Sequence, residues 1–199
     1  GGFVGYFNAS GSITNSRAAG AVSGTSYVGG FVGLMTYNVG ISTSYATGMV
    51  NATGDGAGGF LGYSSDTAYT RTLQDFYATG SVTGTTNVGG LVGWTNATIT
   101  GTTATVGSTT YASGNVTGGS ETGGLVGYAD GSNAVMTNTY ATGNVSGTSN
   151  TGGLVGYLYY YADILNSTAF GNVQGTSSVG GLLGQALILN TITNANANG

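Results

Sequence analysis

The chain has 199 residues, with two basic residues, six acids, no His, Cys or Pro, 4% charged residues and a net charge of −4. Nucleic acid and anionic lipid need a basic stripe to neutralise phosphates, so both are excluded as partners, and without Cys there is no disulfide and no thiolate metal site. The 41 glycines keep no Gly-X-Y period, which excludes collagen, and no apolar run approaches the ~18 residues of a membrane span.

From the amino terminus onward, the string GG-[FL]-[VL]-G starts at Gly1, Gly29, Gly58, Gly89, Gly123, Gly152 and Gly180, at intervals of 28, 29, 31, 34, 29 and 28 residues. Self-similarity at such a period marks units that bury their apolar faces only by stacking on one another. Apolar residues make up 40% of the chain and fall in the same phase in every repeat, unlike those of disordered tracts. Residues 1–199 are therefore expected to form a single repeat domain. With no initiating Met and no signal peptide, an excerpted or processed chain is expected.

The first element of each unit is the GG-[FL]-[VL]-G strand, with ladders Phe3, Phe31, Phe60, Leu91, Leu125, Leu154, Leu182 and Val4, Val32, Leu61, Val92, Val126, Val155, Leu183. Adjacent strand residues face opposite ways, so one ladder is expected in the core and the other outside or in a contact. The second element is typified by MTNTYATG at Met136–Gly143. It gives an aliphatic ladder through Ile13, Ile41, Met136, Ile164 and Ile192, then Tyr45, Tyr77, Tyr111 and Tyr140, then columns of Ala and Gly. The third carries Val22, Val50, Val82, Val116, Val145 and Val173. About three short strands per 28–34-residue coil, separated by Gly corners, predict an all-β chain: a parallel β-solenoid, roughly triangular in section, of six coils and a partial seventh. Glycines this frequent disfavour helical repeats, and a propeller blade needs roughly 40 residues. A charge at a repeating phase would face its own copy ~4.8 Å away, so low charge follows from stacking.

Extra residues in units three and four are expected at one corner, between the first and second strands, near Ser64–Thr72 and Thr95–Thr109. A repeat insertion of this kind often marks a binding face. The column Tyr63, Trp94, Tyr128 and Tyr157, with Tyr6 before it and Leu34 interrupting it, offers a ligand face for a glycan or host receptor, and the Thr-rich stretch offers one for ice. Six sequons, at Asn8, Asn51, Asn96, Asn115, Asn144 and Asn166, are candidate glycosylation sites. The scattered charges, including Asp66, Arg71 and Asp75 in unit three, do not converge on a catalytic constellation, so no enzyme activity, metal or cofactor is expected. The single GDGAGG at Gly54–Gly59 lacks the tandem copies a calcium β-roll requires. The two end coils show no polar cap. Gly1, Phe3, Val4 and Ile13 at one end, with Leu182, Leu183, Ile188 and Ile192 at the other, are candidate assembly residues. Their partner would be a second copy stacking end to end or flanking repeats of a longer chain.

The run GGLVGYADGSNAVMTNTYATGNVSGTSNTGGLVGY at Gly123–Tyr157 resembles the GLUG-motif repeat, which occurs in large secreted and cell-surface proteins, adhesin-like proteins among them. The likeness extends over the chain, with Phe in place of Leu in the first three units and longer spacings in units three and four. It implies an extracellular stalk, adhesive or assembly role and carries over no catalytic residue.

Overall fold

The computed structural model describes residues 1–65, 72–102 and 109–199. The chain is a parallel β-solenoid, and no helix occurs among the described residues. Coil five shows the plan. Val126–Asp130 lies in a first sheet, A; Val135–Thr137 and Tyr140–Ala141 in a second, B; Val145–Ser146 in a third, C; and Ser149–Gly152 in a fourth, D. Among the described residues, sheet A has seven strands, sheet B twelve, and sheets C and D six each, every strand pairing in parallel with its counterparts one coil away. Three strands per coil thus become four faces. The segment ahead of each GG, expected as a corner, is a strand of its own.

Two apolar cores run the length of the rod. One lies between sheets A and B and contains Phe31, Phe60, Leu91, Leu125, Ile41, Leu73, Ile99 and Met136. The other lies between C and D and is built on Val28, Val50, Val82, Val88, Val116 and Val145. The aliphatic ladder of sheet B is complete, because Leu73 and Ile99 bridge Ile41 to Met136. The two neighbouring ladders of the GG strand do not face opposite ways: Phe31 and Val32 are both fully buried in the A–B core. Phe31 sits in a bend and the strand begins only at Val32, so strand alternation does not carry across the pair.

The GG pair permits close approach of successive coils. A Cβ at Gly90 would lie 2.1 Å from the Gly124 carbonyl oxygen and 3.0 Å from the Ala112 Cβ, which also explains why the facing ladder is alanine. A Cβ at Gly93 would meet the Ala57 nitrogen and the Asn87 oxygen, each at 2.8 Å, so sheet A packs on the backbone of sheet D.

The corners rest on two columns of left-handed residues. In sheet D they are Tyr27, Asn87, Glu121, Asn150 and Ser178, with φ between 48° and 55°, and Gly56 at 74°. In the middle of sheet B they are Asn15, Thr43, Asp75, Asn138, Asn166 and Asn194. Asn tolerates this region better than most residues, and here its amide also spans coils: Asn194 Nδ2 donates to Asn166 Oδ1 at 3.1 Å.

The two insertions enter at different places. In coil three the extra residues lie between Ser64 and Leu73, at the A–B corner as expected. In coil four they lie between Ile99, which pairs with Leu73, and Tyr111, which pairs with Tyr77. They leave from the middle of sheet B, at the rung where the other coils place their left-handed residue. Asp66 and Arg71 lie outside the described residues.

Candidate functional site

Four surface features follow from these ladders. The first is a tyrosine ladder on sheet B. Tyr45, Tyr77, Tyr111 and Tyr140 stack with centroids 4.9, 4.8 and 4.9 Å apart and planes within 8°. Parallel in-register pairing puts identical rings one rung apart, which is close to stacking distance. A cavity of about 520 Å³ runs beside them, bordered by Thr43, Asp75 and Thr109, and the Thr109 hydroxyl donates to the Asp75 carboxylate. Burial pushes the Tyr77 and Tyr111 phenols up, and neighbouring tyrosines add to it.

The second feature is the aromatic column of sheet A. Tyr63 and Trp94 stack at 4.5 Å and 9°, while Trp94 and Tyr128 stand 6.1 Å apart and Tyr128 and Tyr157 5.1 Å apart with a 37° tilt. Tyr27 folds back over Gly56 onto Tyr63. The structure thus brings Tyr63, Trp94, Tyr128 and Tyr157 together, but as rings covering one another's faces. A glycan stacks on ring faces, so the column is not a continuous sugar platform; only the wider Trp94–Tyr128 gap leaves part of a face uncovered. Tyr159 adds to the column against both Tyr128 and Tyr157, and Tyr160 and Tyr161 extend it. These three were missed, although the run YLYYYAD at Tyr157–Asp163 is the densest aromatic segment in the chain.

Next to this column, at the A–B corner, lies the third feature, a groove of about 480 Å³ bordered by Trp94, Asn96, Asp130, Asn133, Tyr159 and Tyr160. Burial raises the Asp130 carboxyl above its ordinary value. Burial and then Asp130 raise the Tyr128 phenol.

The fourth is the pair of end rungs. Among the described residues, Val4–Asn8 pairs only with Val32–Thr36, and Leu183–Leu187 only with Val155–Tyr159, so none of them covers the outer edge of sheet A at either end. Phe3 is 51% exposed and stacks on Phe31 at 4.6 Å and 4°. Gly1 is exposed and Val4 half-buried beside it; at the far end Leu182 and Leu183 are half-buried and Ile188 and Ile192 exposed. Ile13 differs from the expectation of an end-face residue. It is buried under Ile41 in the A–B core and is not presented there.

The sequons fall into two kinds. Asn8, Asn51, Asn115 and Asn144 are exposed and Asn166 half-buried, whereas Asn96 is 5% exposed, which leaves no room for a glycan at that position. Asn115 and Asn144 also tie coils together, their Oδ1 atoms accepting from the main-chain nitrogens of Asn144 and Asn172 at 2.9 and 3.0 Å. Among the described residues, no three His, Cys, Asp or Glu side chains stand close enough together to hold a metal ion.

The GLUG motif matches residues 147–174. That segment is one full circuit of the solenoid, from Gly147 at the end of sheet C through sheets D, A and B and back to Gln174 in sheet C. No curated protein and no solved structure matches the chain.

Proposed function

We propose that this GLUG-repeat chain is a structural element of an extracellular protein, a surface stalk or filament subunit. In this reading the open edges of its end rungs take up further coils by strand addition. The observation that carries the reading is the continuity of the ladders: Phe3, Val4 and Ile13 of the first rung occupy the same phases as Leu182, Leu183 and Ile192 of the last. Every intermediate rung repeats those phases in register. A free edge of sheet A offers unpaired N–H and C=O groups to another strand, and the exposed Phe3 ring offers a stacking face to the next apolar residue in its ladder.

Two sources of the next coil differ in outcome. If a second copy supplies it, the purified chain polymerises head to tail. If flanking repeats supply it, the isolated chain stays short, and fusing two chains in tandem gives one cooperative rod of twice the length. Ile192→Lys puts a charge at the open edge and is expected to abolish polymerisation while leaving the interior coils folded.

A further inference from the structure

The corner between sheets A and B spans six positions in coils one, two, six and seven but differs in coils three to five, and in one of these it is unusually short. From the sheet A residue to the ladder residue of sheet B, coil three uses nine positions (Ser64 to Leu73) and coil five seven (Ala129 to Met136). Coil four uses four (Thr95 to Ile99). A short corner between two longer ones leaves a notch, and the groove beside Trp94 opens there.

The chemistry lining the notch is specific. Coil four contributes Trp94, coil five the carboxylate of Asp130, which pairs in the ladder with Tyr159 of coil six, and coil six also contributes Tyr160. Tyr160 is 49% exposed. It sits at φ 47°, followed by Tyr161 at 64°, and the Tyr161 ring meets it edge to face at 4.9 Å and 89°, fixing its plane. The indole of Trp94 is closely covered on the Tyr63 side and only loosely on the Tyr128 side. The result is a carboxylate flanked by electron-rich ring surfaces.

We propose that this notch binds an alkylated ammonium group, its positive charge held between the Asp130 carboxylate and the faces of Trp94 and Tyr160. Ring faces carry negative potential and attract cations, quaternary ammonium groups in particular. Among the described residues Arg17, in the first coil, is the only basic side chain, so none of them offers Asp130 a counter-charge. A partly desolvated carboxylate with no counter-charge among the described residues is costly, and an organic cation supplies one. A neutral sugar would hydrogen-bond to Asp130 and leave that charge uncompensated. A bare metal ion needs several oxygen ligands, whereas one carboxylate and three aromatic rings suit a soft, weakly hydrated cation. The net charge of −4 draws cations toward the rod as a whole.

Trp94 is the only tryptophan in the chain, beside 14 tyrosines, so tryptophan emission excited at wavelengths that tyrosine does not absorb reports on this notch. The experiment titrates choline chloride and tetramethylammonium chloride into the full chain, with sodium chloride at matched ionic strength as reference and methyl glucoside as a neutral comparison. Both organic cations should give a saturable change in Trp94 emission that sodium and the glucoside do not. Asp130→Asn should weaken binding at least tenfold, Tyr160→Ala likewise, and Tyr160→Phe by less than twofold. Circular dichroism checks that each variant folds; should Asp130→Asn not fold, the exposed Tyr160 pair carries the test. Emission unchanged beyond the sodium reference would overturn the proposal. So would binding that survives in Asp130→Asn within twofold, or a saturable response to the glucoside instead of the cations.

Discussion

The rings of Tyr77 and Tyr111 lie 4.8 Å apart with planes 3° from parallel, although coil four uses twelve positions from Ile99 to Tyr111 where coil three uses four from Leu73 to Tyr77. Rung register is therefore set by the ladders and not by the number of residues between them. Tyr111 has a stacked neighbour on each side. Each such pair contributes about 0.5–1.5 kcal/mol beyond its buried area. Tyr111→Ala should therefore destabilise the rod by about 1–3 kcal/mol from stacking, on top of the lost buried area, in urea melts, while Tyr111→Phe should stay within about 0.5 kcal/mol.

The glycines divide into those that sequence must keep and those it need not. A Cβ at Gly124 would lie 2.1 Å from the Gly153 carbonyl oxygen, while nothing lies within 4 Å of one at Gly40. Gly124→Ala should cost about 3 kcal/mol or more, among the largest single-residue losses. Gly40→Ala should gain about 0.4–1 kcal/mol by restricting the unfolded chain. Paired thermal melts check both, and equal effects would contradict the proposed coil-to-coil contact.

How much of this was legible beforehand varies with the kind of signal. The period of GG-[FL]-[VL]-G, and the Tyr and Val ladders, mark the rungs because every copy occupies the same phase. The fourth strand was hidden because Ser149–Gly152 and its equivalents are short, polar and glycine-flanked, the composition of a loop. It is a strand because it pairs in parallel from coil to coil, and in coils two to four Val28, Ala57 and Val88 pack inward against the sheet C valines. The left-handed column in sheet B left a trace, Asn15, Asn138, Asn166 and Asn194 at one phase, which reads as a turn signal once the rungs are aligned. The notch at Trp94 was not legible, because it arises from a shortened corner while the repeat as a whole is the longest in the chain.

Glu121 occupies a left-handed position, φ 49°, where its column otherwise places Asn twice. Burial raises its carboxyl above the ordinary value, partly offset by the hydrogen bond from Asn150 Nδ2 at 3.3 Å. A carboxyl raised in the folded state binds its proton more tightly there than when unfolded. Its contribution therefore favours folding at low pH and is lost as pH rises from the unfolded value of about 4.3 through the native one. Glu121→Asn should raise stability at neutral pH and flatten the fall in stability above pH ~4.3. Denaturant midpoints at several pH values check this, and an unchanged slope would contradict it. Some slope should remain, since burial raises Asp130 as well.

Inside sheet B, Ser167 Oγ accepts from the Thr139 amide at 3.1 Å and lies 3.0 Å from the Thr139 hydroxyl, all of it buried. Ser167→Ala leaves both Thr139 groups without that partner, at a cost of about 1–3 kcal/mol. Faster hydrogen exchange at the Thr139 amide, confined to coils five and six, is the expected signature in a one-dimensional array.

Electron microscopy of the purified chain over a concentration series tests the assembly reading most directly. Stacking of copies by strand addition predicts unbranched fibres with an axial repeat of about 34 Å, seven rungs of ~4.8 Å, lost in Ile192→Lys. Short discrete particles of the single chain at every concentration, together with a tandem fusion that does not form one rod of twice the length, would contradict it.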